Sequence, residues 1–214
     1  MERSFVGPVN RITLGDMRTL EFFFDCSSPW TYLAFEQIQR SNEGESIVID
    51  WRPFLVGGVF NTVNPSVYAS RENPVPVKAK YYGKDLADWA RYVGVSIGSP
   101  PIFPVNSVKA MRGAFVAIEN GLLIPYARRV FEAYWGELLD ISQDDVLAEI
   151  VGDVGIVTDE FFGKIGSDVY KKRLRENTQE LMDRGGFGSP TMFLDGDDMY
   201  FDNDRIPLIM AKLS

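Results

Sequence analysis

The chain has no histidine and one cysteine among its 214 residues. Without histidine there is no Ser-His-Asp or Cys-His nucleophile system. Histidine-ligated metal sites are excluded too, and the lone Cys26 can make neither a structural zinc site nor an intrachain disulfide. No apolar run reaches the roughly 18 residues that span a bilayer. Positive charge is also short, with 22 Lys and Arg against 30 Asp and Glu, for a net charge of −8. That balance disfavours a nucleic-acid partner, which requires a basic face, and offers nothing to an anionic membrane. The first nineteen residues interleave Glu2, Arg3, Arg11, Asp16 and Arg18 with short apolar pieces, unlike a secretory leader, so cytoplasmic residence is expected. Asp144-Asp145 and Asp197-Asp198 read as a helix start and a turn, so no metal is expected. A phosphate loop and a Gly-x-Gly-x-x-Gly segment are both missing.

What is present suffices for a core, since 45% of the residues are hydrophobic. The chain is organised around Leu20 to Phe35. Leu20 to Asp25 is apolar and β-prone, the composition of a strand buried on both faces. After Ser27-Ser28-Pro29 the pattern turns helical, with Trp30, Leu33, Ala34 and Ile38 on one face. Pro29 suits the first helical turn, which places Ser28 at the N-cap beside free N–H groups and the positive end of the helix dipole. A strand that delivers a hydroxyl to a helix N-terminus favours an anion such as a thiolate, carboxylate or phosphate. Helix capping alone also accounts for a serine there.

Residues 1–19 read as an extension broken by Gly7-Pro8 and Gly15-Asp16. Ser46 to Phe54 is a second strand, and a strand–helix–strand unit implies a parallel pair with a right-handed crossover. From Gly57 to Asn73 the chain reads as irregular. Helices follow. Leu86, Trp89, Ala90 and Val93 share a face that Gly94 ends, and Met111, Ala114, Phe115 and Ile118 share one that Asn120-Gly121 stops. Phe131, Tyr134, Trp135 and Leu138 form a third apolar stripe, read as packing. Shorter helices start at Ser142 and Thr158, and a charged one runs from Ser167 to Arg184. Thr191–Asp195 and Met199–Phe201 are then strands around a Gly196-Asp197-Asp198 turn, and a closing helix follows Asp202.

Several segments together resemble the 2-hydroxychromene-2-carboxylate isomerases and kappa-class glutathione transferases. They are Ser28-Pro29-Trp30-Thr31-Tyr32-Leu33 after Phe23-Phe24-Asp25, then Arg52-Pro53-Phe54, Gly57-Gly58-Val59-Phe60 and Phe103-Pro104-Val105-Asn106. Gly188-Ser189-Pro190-Thr191 and Asn203-Asp204-Arg205 complete the set. Related disulfide oxidoreductases carry Cys-Pro-x-Cys where this chain has Ser28-Pro29-Trp30-Thr31, so dithiol exchange there is impossible. The element order and the resemblance agree on an α/β fold: a thioredoxin-like domain (20–57 and 185–214) with a large inserted all-helical domain (58–184).

The resemblance implies a glutathione-dependent isomerase, with Ser28 catalytic as hydrogen-bond donor to the glutathione sulfur. It implies a cis Ser189-Pro190 bond that leaves the Ser189 backbone free for an extended peptide, and Asn203 and Asp204 at the γ-glutamyl end. Asn64 is a further candidate contact, with Asn61 nearly equivalent. Asp202 departs from the small residue, usually glycine, expected before that pair, and places an extra carboxylate there. The thiolate would add to a conjugated double bond of a ring-opened aromatic substrate and leave after rotation. Lys78, Lys80, Arg71 and Lys84 are candidates for the substrate carboxylate, and Tyr81 and Tyr82 for closing over the ring. Cys26 reads as buried packing. Alternatives are a kappa-like transferase on another electrophile and a non-catalytic thioredoxin-like peptide-binding protein. A homodimer is expected, with neither nucleic acid nor membrane as partner.

Overall fold

Arg18–Phe24 forms strand β1, whose side chains from Phe22 to Phe24 are fully buried, because both sheet faces are covered. A computed structural model of the chain describes residues 18–42 and 47–213. The extension expected at 1–19 and the Ser46 start of the second strand therefore fall largely outside the described residues. Helix α1 (Pro29–Ser41) leads to β2 (Ile47–Pro53), which pairs in parallel with β1 from Arg18 opposite Ile47 to Phe24 opposite Pro53. Far along the chain, β3 (Thr191–Leu194) pairs antiparallel with β1, and β4 (Asp198–Phe201) antiparallel with β3. The sheet order is β2-β1-β3-β4.

The helices between β2 and β3 are α2 (Val56–Thr62), α3 (Ser66–Glu72), α4 (Pro76–Val93), α5 (Val108–Glu119), α6 (Leu123–Phe131), α7 (Asp144–Asp153), α8 (Thr158–Gly166) and α9 (Asp168–Asp183). A 3-10 turn (Asn203–Arg205) then opens α10 (Ile206–Leu213). This is a thioredoxin-like α/β fold carrying a helical insertion.

One buried cluster runs from the sheet into the insertion. Phe22 and Phe35 meet the Trp51 ring at 5.0 and 5.3 Å, and Tyr32 stacks on Phe131 of α6 at 4.8 Å. Each such aromatic contributes about 1.5–3 kcal/mol by leaving water. In α5 only glycine fits at position 113, where an added Cβ would lie 2.3 Å from the Tyr126 hydroxyl and 2.5 Å from the Phe161 ring.

Three expectations need correction. The stretch from Gly57 to Asn73 is not irregular; it holds α2 and α3. Tertiary contacts override the poor helix propensity of Gly57-Gly58. Thr178 Oγ1 accepts the Leu55 N–H at 3.0 Å, the Asp25 carboxylate accepts that of Val56 at 2.9 Å, and Gly58 packs against the Thr178 methyl. The stripe over Phe131, Tyr134, Trp135 and Leu138 also breaks. Residues 132–136 form a π-helical turn, which shifts the phase of the pattern. Leu138 leaves it with a φ of +64° and is 37% exposed, while the other three are buried. Helix α7 starts at Asp144 rather than Ser142.

Candidate active site

The end of β1 delivers Asp25 to a turn in which the Ser28 N–H bonds the Asp25 carbonyl at 3.2 Å. Ser28 is the N-cap of α1, with extended backbone and its hydroxyl oxygen accepting from the Thr31 N–H at 3.2 Å. The single Ser28 hydroxyl hydrogen goes to the Ser189 carbonyl at 2.9 Å. The Ser189-Pro190 bond is cis, as is Phe103-Pro104. Ser189 is held from its other side as well. Its hydroxyl accepts from the Asp25 N–H at 3.0 Å and shares a hydrogen bond of 2.7 Å with the buried Thr31 hydroxyl. The Ser189 carbonyl thus accepts one hydrogen bond from Ser28, and a carbonyl oxygen has room for a second.

Asp25 is fully buried and fixes three further segments around this turn. Its carboxylate accepts from the Ser27 N–H at 2.9 Å, the Val56 N–H at 2.9 Å and the Ser107 hydroxyl at 3.1 Å. Burial raises its pKa, and those donors oppose the rise. Sequence reading gave Asp25, Thr31 and Ser107 no role. Asp25 and Thr31 lie within the family-like segments, and Ser107 directly follows one.

Above the turn lies a cavity of about 610 Å³ between Ser28, α2, α3, the 103–108 loop and the Phe187-Gly188-Ser189 segment. Ser28 and Ser189 line it, as do Asn64 and Asn61, whereas Pro190 stands next to it. Asn64 is anchored, its amide donating to the Phe187 carbonyl at 3.1 Å and its oxygen accepting from Ser66. Trp30, Phe60, Tyr68, Phe103, Phe187 and Phe201 supply aromatic wall.

Arg71 is the one charged residue in that lining. Its guanidinium sits 5.5 Å from the Phe60 ring and 5.0 Å from that of Phe103, with no carboxylate partner among the described residues. Of the four candidate cations, Lys78 and Lys80 are exposed and outside the cavity, and Lys84 is paired with Asp88 one turn along α4. Tyr81 and Tyr82 are also exposed there, so the structure does not bring them to the site.

Asn203 and Asp204 open the closing helix and are outside the cavity lining. Asn203 is 2% exposed, and its Nδ2 has no hydrogen-bond partner, a buried donor that lacks an acceptor. Asp204 pairs with Arg205 at 3.1 Å. Asp202 has a φ of +82° and a ψ of 164°, a region almost confined to glycine. Its carboxylate accepts the Asn203 N–H at 2.8 Å, and its own N–H bonds the Pro190 carbonyl at 3.3 Å. Burial raises the Asp202 pKa, with Asp204 and Asp85 adding to the rise.

Cys26 is buried, and burial pushes its thiol well above the ordinary range, so it is packing and not a nucleophile. Among the described residues no cluster of acidic or cysteine side chains is suited to a metal, and no helix is long and apolar enough to cross a membrane.

Residues 19–214 match the model of the DSBA-like thioredoxin domain. A 2-hydroxychromene-2-carboxylate isomerase of Pseudomonas putida is 29% identical over 199 residues, covering 91% of this chain and 93% of that one. Glutathione S-transferase kappa 2 of Caenorhabditis elegans is 30% identical over 211 residues, covering 92% of each. A solved structure of a 2-hydroxychromene-2-carboxylate isomerase superposes with a TM-score of 0.77 at 26% identity, covering 91% of this chain and 94% of that one. With the Ser28 turn in place of a cysteine pair, and relatives of both kinds over more than 90% of its length, the chain belongs to the DsbA-like thioredoxin family, alongside the 2-hydroxychromene-2-carboxylate isomerases and kappa-class glutathione transferases.

Proposed function

We propose that the protein is a glutathione-dependent isomerase of the 2-hydroxychromene-2-carboxylate type. The observation that carries this reading is the cavity itself, with a hydroxyl at a helix N-terminus on one wall and a single unpaired cation among aromatic rings on another. Such a space suits a planar, conjugated ligand with one anionic group.

The residues present fit glutathione. Asn203 offers a buried donor without an acceptor, and Asp204 a half-exposed carboxylate beside it, matching the acceptor and ammonium of an amino-acid end. Asn64, Ser189 and Pro190 would flank the rest of the peptide. When bound, glutathione supplies a sulfur nucleophile that adds reversibly to a conjugated double bond. Ser28 turns its hydrogen from the Ser189 carbonyl to that sulfur, and with the dipole of α1 it lowers the thiol pKa from about 8.5. Arg71 holds the substrate carboxylate, and the aromatic walls exclude water from the ring.

The kappa-type relative is as similar to this chain as the isomerase, which favours one second reading, a transferase using the same Ser28 site on another electrophile. The test is to follow interconversion of 2-hydroxychromene-2-carboxylate and its ring-opened trans isomer by absorbance, with and without reduced glutathione, alongside a calorimetric glutathione titration. Glutathione-dependent conversion is expected. Binding without conversion would move the assignment to the transferase, and no binding at about 10 mM would overturn both.

A further inference from the structure

We propose that a second cavity, on the far side of α2 from the first, binds a phosphate group. This cavity, about 360 Å³, lies between α2, α5 and α9, and Leu55, Gly58 and Val108 line both spaces. Three cations line the second one, Arg112, Lys171 and Arg175, and no carboxylate does. That is unexpected on a chain with 30 acidic residues against 22 basic ones. Elsewhere on α9 the cations are matched. Arg173 pairs with Glu119, and Lys172 with Glu176.

Arg112 and Arg175 have no carboxylate partner among the described residues. Among the described residues Arg112 makes a long hydrogen bond of 3.4 Å from Nη1 to the Ile165 carbonyl, and its Nε is buried without any acceptor. Burial, and then the charge of Arg175, lower the Arg112 pKa. Lys171 spends part of its charge on Asp168 at 3.1 Å. An anion in this cavity would offset the Arg175 charge felt by Arg112 and give the Arg112 guanidinium an acceptor. Two planar forks with parallel N–H donors match the oxygens of a phosphate, whose charge also suits two cations. Leu174 and Met182 give the same cavity an apolar side for whatever carries the phosphate.

The site is independent of the glutathione reading, because Ser28, Arg71, Asn203 and Asp204 take no part in it. The test is thermal denaturation and calorimetry with inorganic phosphate and with phenyl phosphate, at constant ionic strength against chloride. Both probes are expected to stabilise the protein. Tighter binding of phenyl phosphate assigns the site to a phosphorylated small molecule, and equal binding assigns it to free phosphate. Arg175→Gln, at an exposed position, should weaken binding by about tenfold or more, whereas Lys172→Gln on the same helix should not. Absence of stabilisation by either probe at about 20 mM overturns the proposal, as does equal binding by Arg175→Gln and the parent protein.

Discussion

The Ser28 hydroxyl and the Ser189 carbonyl meet at 2.9 Å although 161 positions separate them in the chain. One hydrogen bond therefore ties the turn after β1 to the loop before β3, and the same hydrogen is the one a bound sulfur would claim.

Ser28→Ala removes that bond and the N-cap of α1. Loss of the cap costs about 1 kcal/mol of stability, readable by urea denaturation. The expected functional result is larger than that. Glutathione should still bind, its thiol should titrate nearer 8.5 by ultraviolet thiolate absorbance, and turnover should fall at least about tenfold. Turnover equal to the parent would remove Ser28 from the chemistry.

Asp202→Gly should behave in the opposite sense. A non-glycine residue at φ +82° costs about 1–3 kcal/mol, so glycine is expected to raise the unfolding free energy by about 1 kcal/mol. It also frees the Asn203 N–H and removes a carboxylate from the proposed γ-glutamyl position. Calorimetry should therefore show tighter glutathione binding. An unchanged dissociation constant would mean that Asp202 does not contest this position.

Arg71→Leu separates binding from folding. Helix α3 buries no residue, so its stability change should stay within about 0.5 kcal/mol. The KM for a carboxylate substrate should rise by about tenfold, while a glutathione titration stays as it was. Lys78→Gln, outside the cavity, is the matched control. A KM that moves equally in both variants would deny Arg71 its role.

Asp25→Asn addresses pH. The folded carboxyl has a pKa raised above the ordinary 3.8, because burial disfavours its charge. The fold then binds this proton more tightly than the unfolded chain does. The resulting stabilisation is complete below 3.8 and is lost as pH rises through the folded pKa. Asparagine should lower stability by about 1–3 kcal/mol, since its NH2 group replaces a carboxylate oxygen that accepts from a backbone N–H, yet flatten the decline of stability with pH above about 4. Denaturation curves across that range with identical slopes in the two proteins would show that Asp25 titrates alike folded and unfolded.

Much of this site was legible before the structure. Ser28 stood out through proline at the first helical position, and a Gly-x-Pro-Thr segment pointed to Ser189 as its counterpart. Asp202 was marked by the charge it introduces, and the structure adds the reason that glycine suits the place, a positive φ. What stayed hidden depends on distant contacts. Helix α2 forms despite Gly57-Gly58 because Asp25 and Thr178 satisfy its first N–H groups. The Leu138 stripe failed because a π-helical turn adds a residue that a 3.6-residue period cannot anticipate. Among four candidate cations, only the placement of α3 between Phe60 and Phe103 singles out Arg71.

The sheet order has a consequence for how the chain is made. Strand β1 and its parallel neighbour β2 leave the ribosome before the helical insertion, whereas β3, the antiparallel neighbour of β1, follows only after it. Until then β1 has a bare edge, and the Ser28 hydroxyl has no Ser189 to meet. A nascent or truncated chain that stops within the helices can assemble most of the hydrophobic core but not the groove. The bare β1 edge and the unfinished groove are therefore one surface during synthesis, and the pairing of β3 closes both.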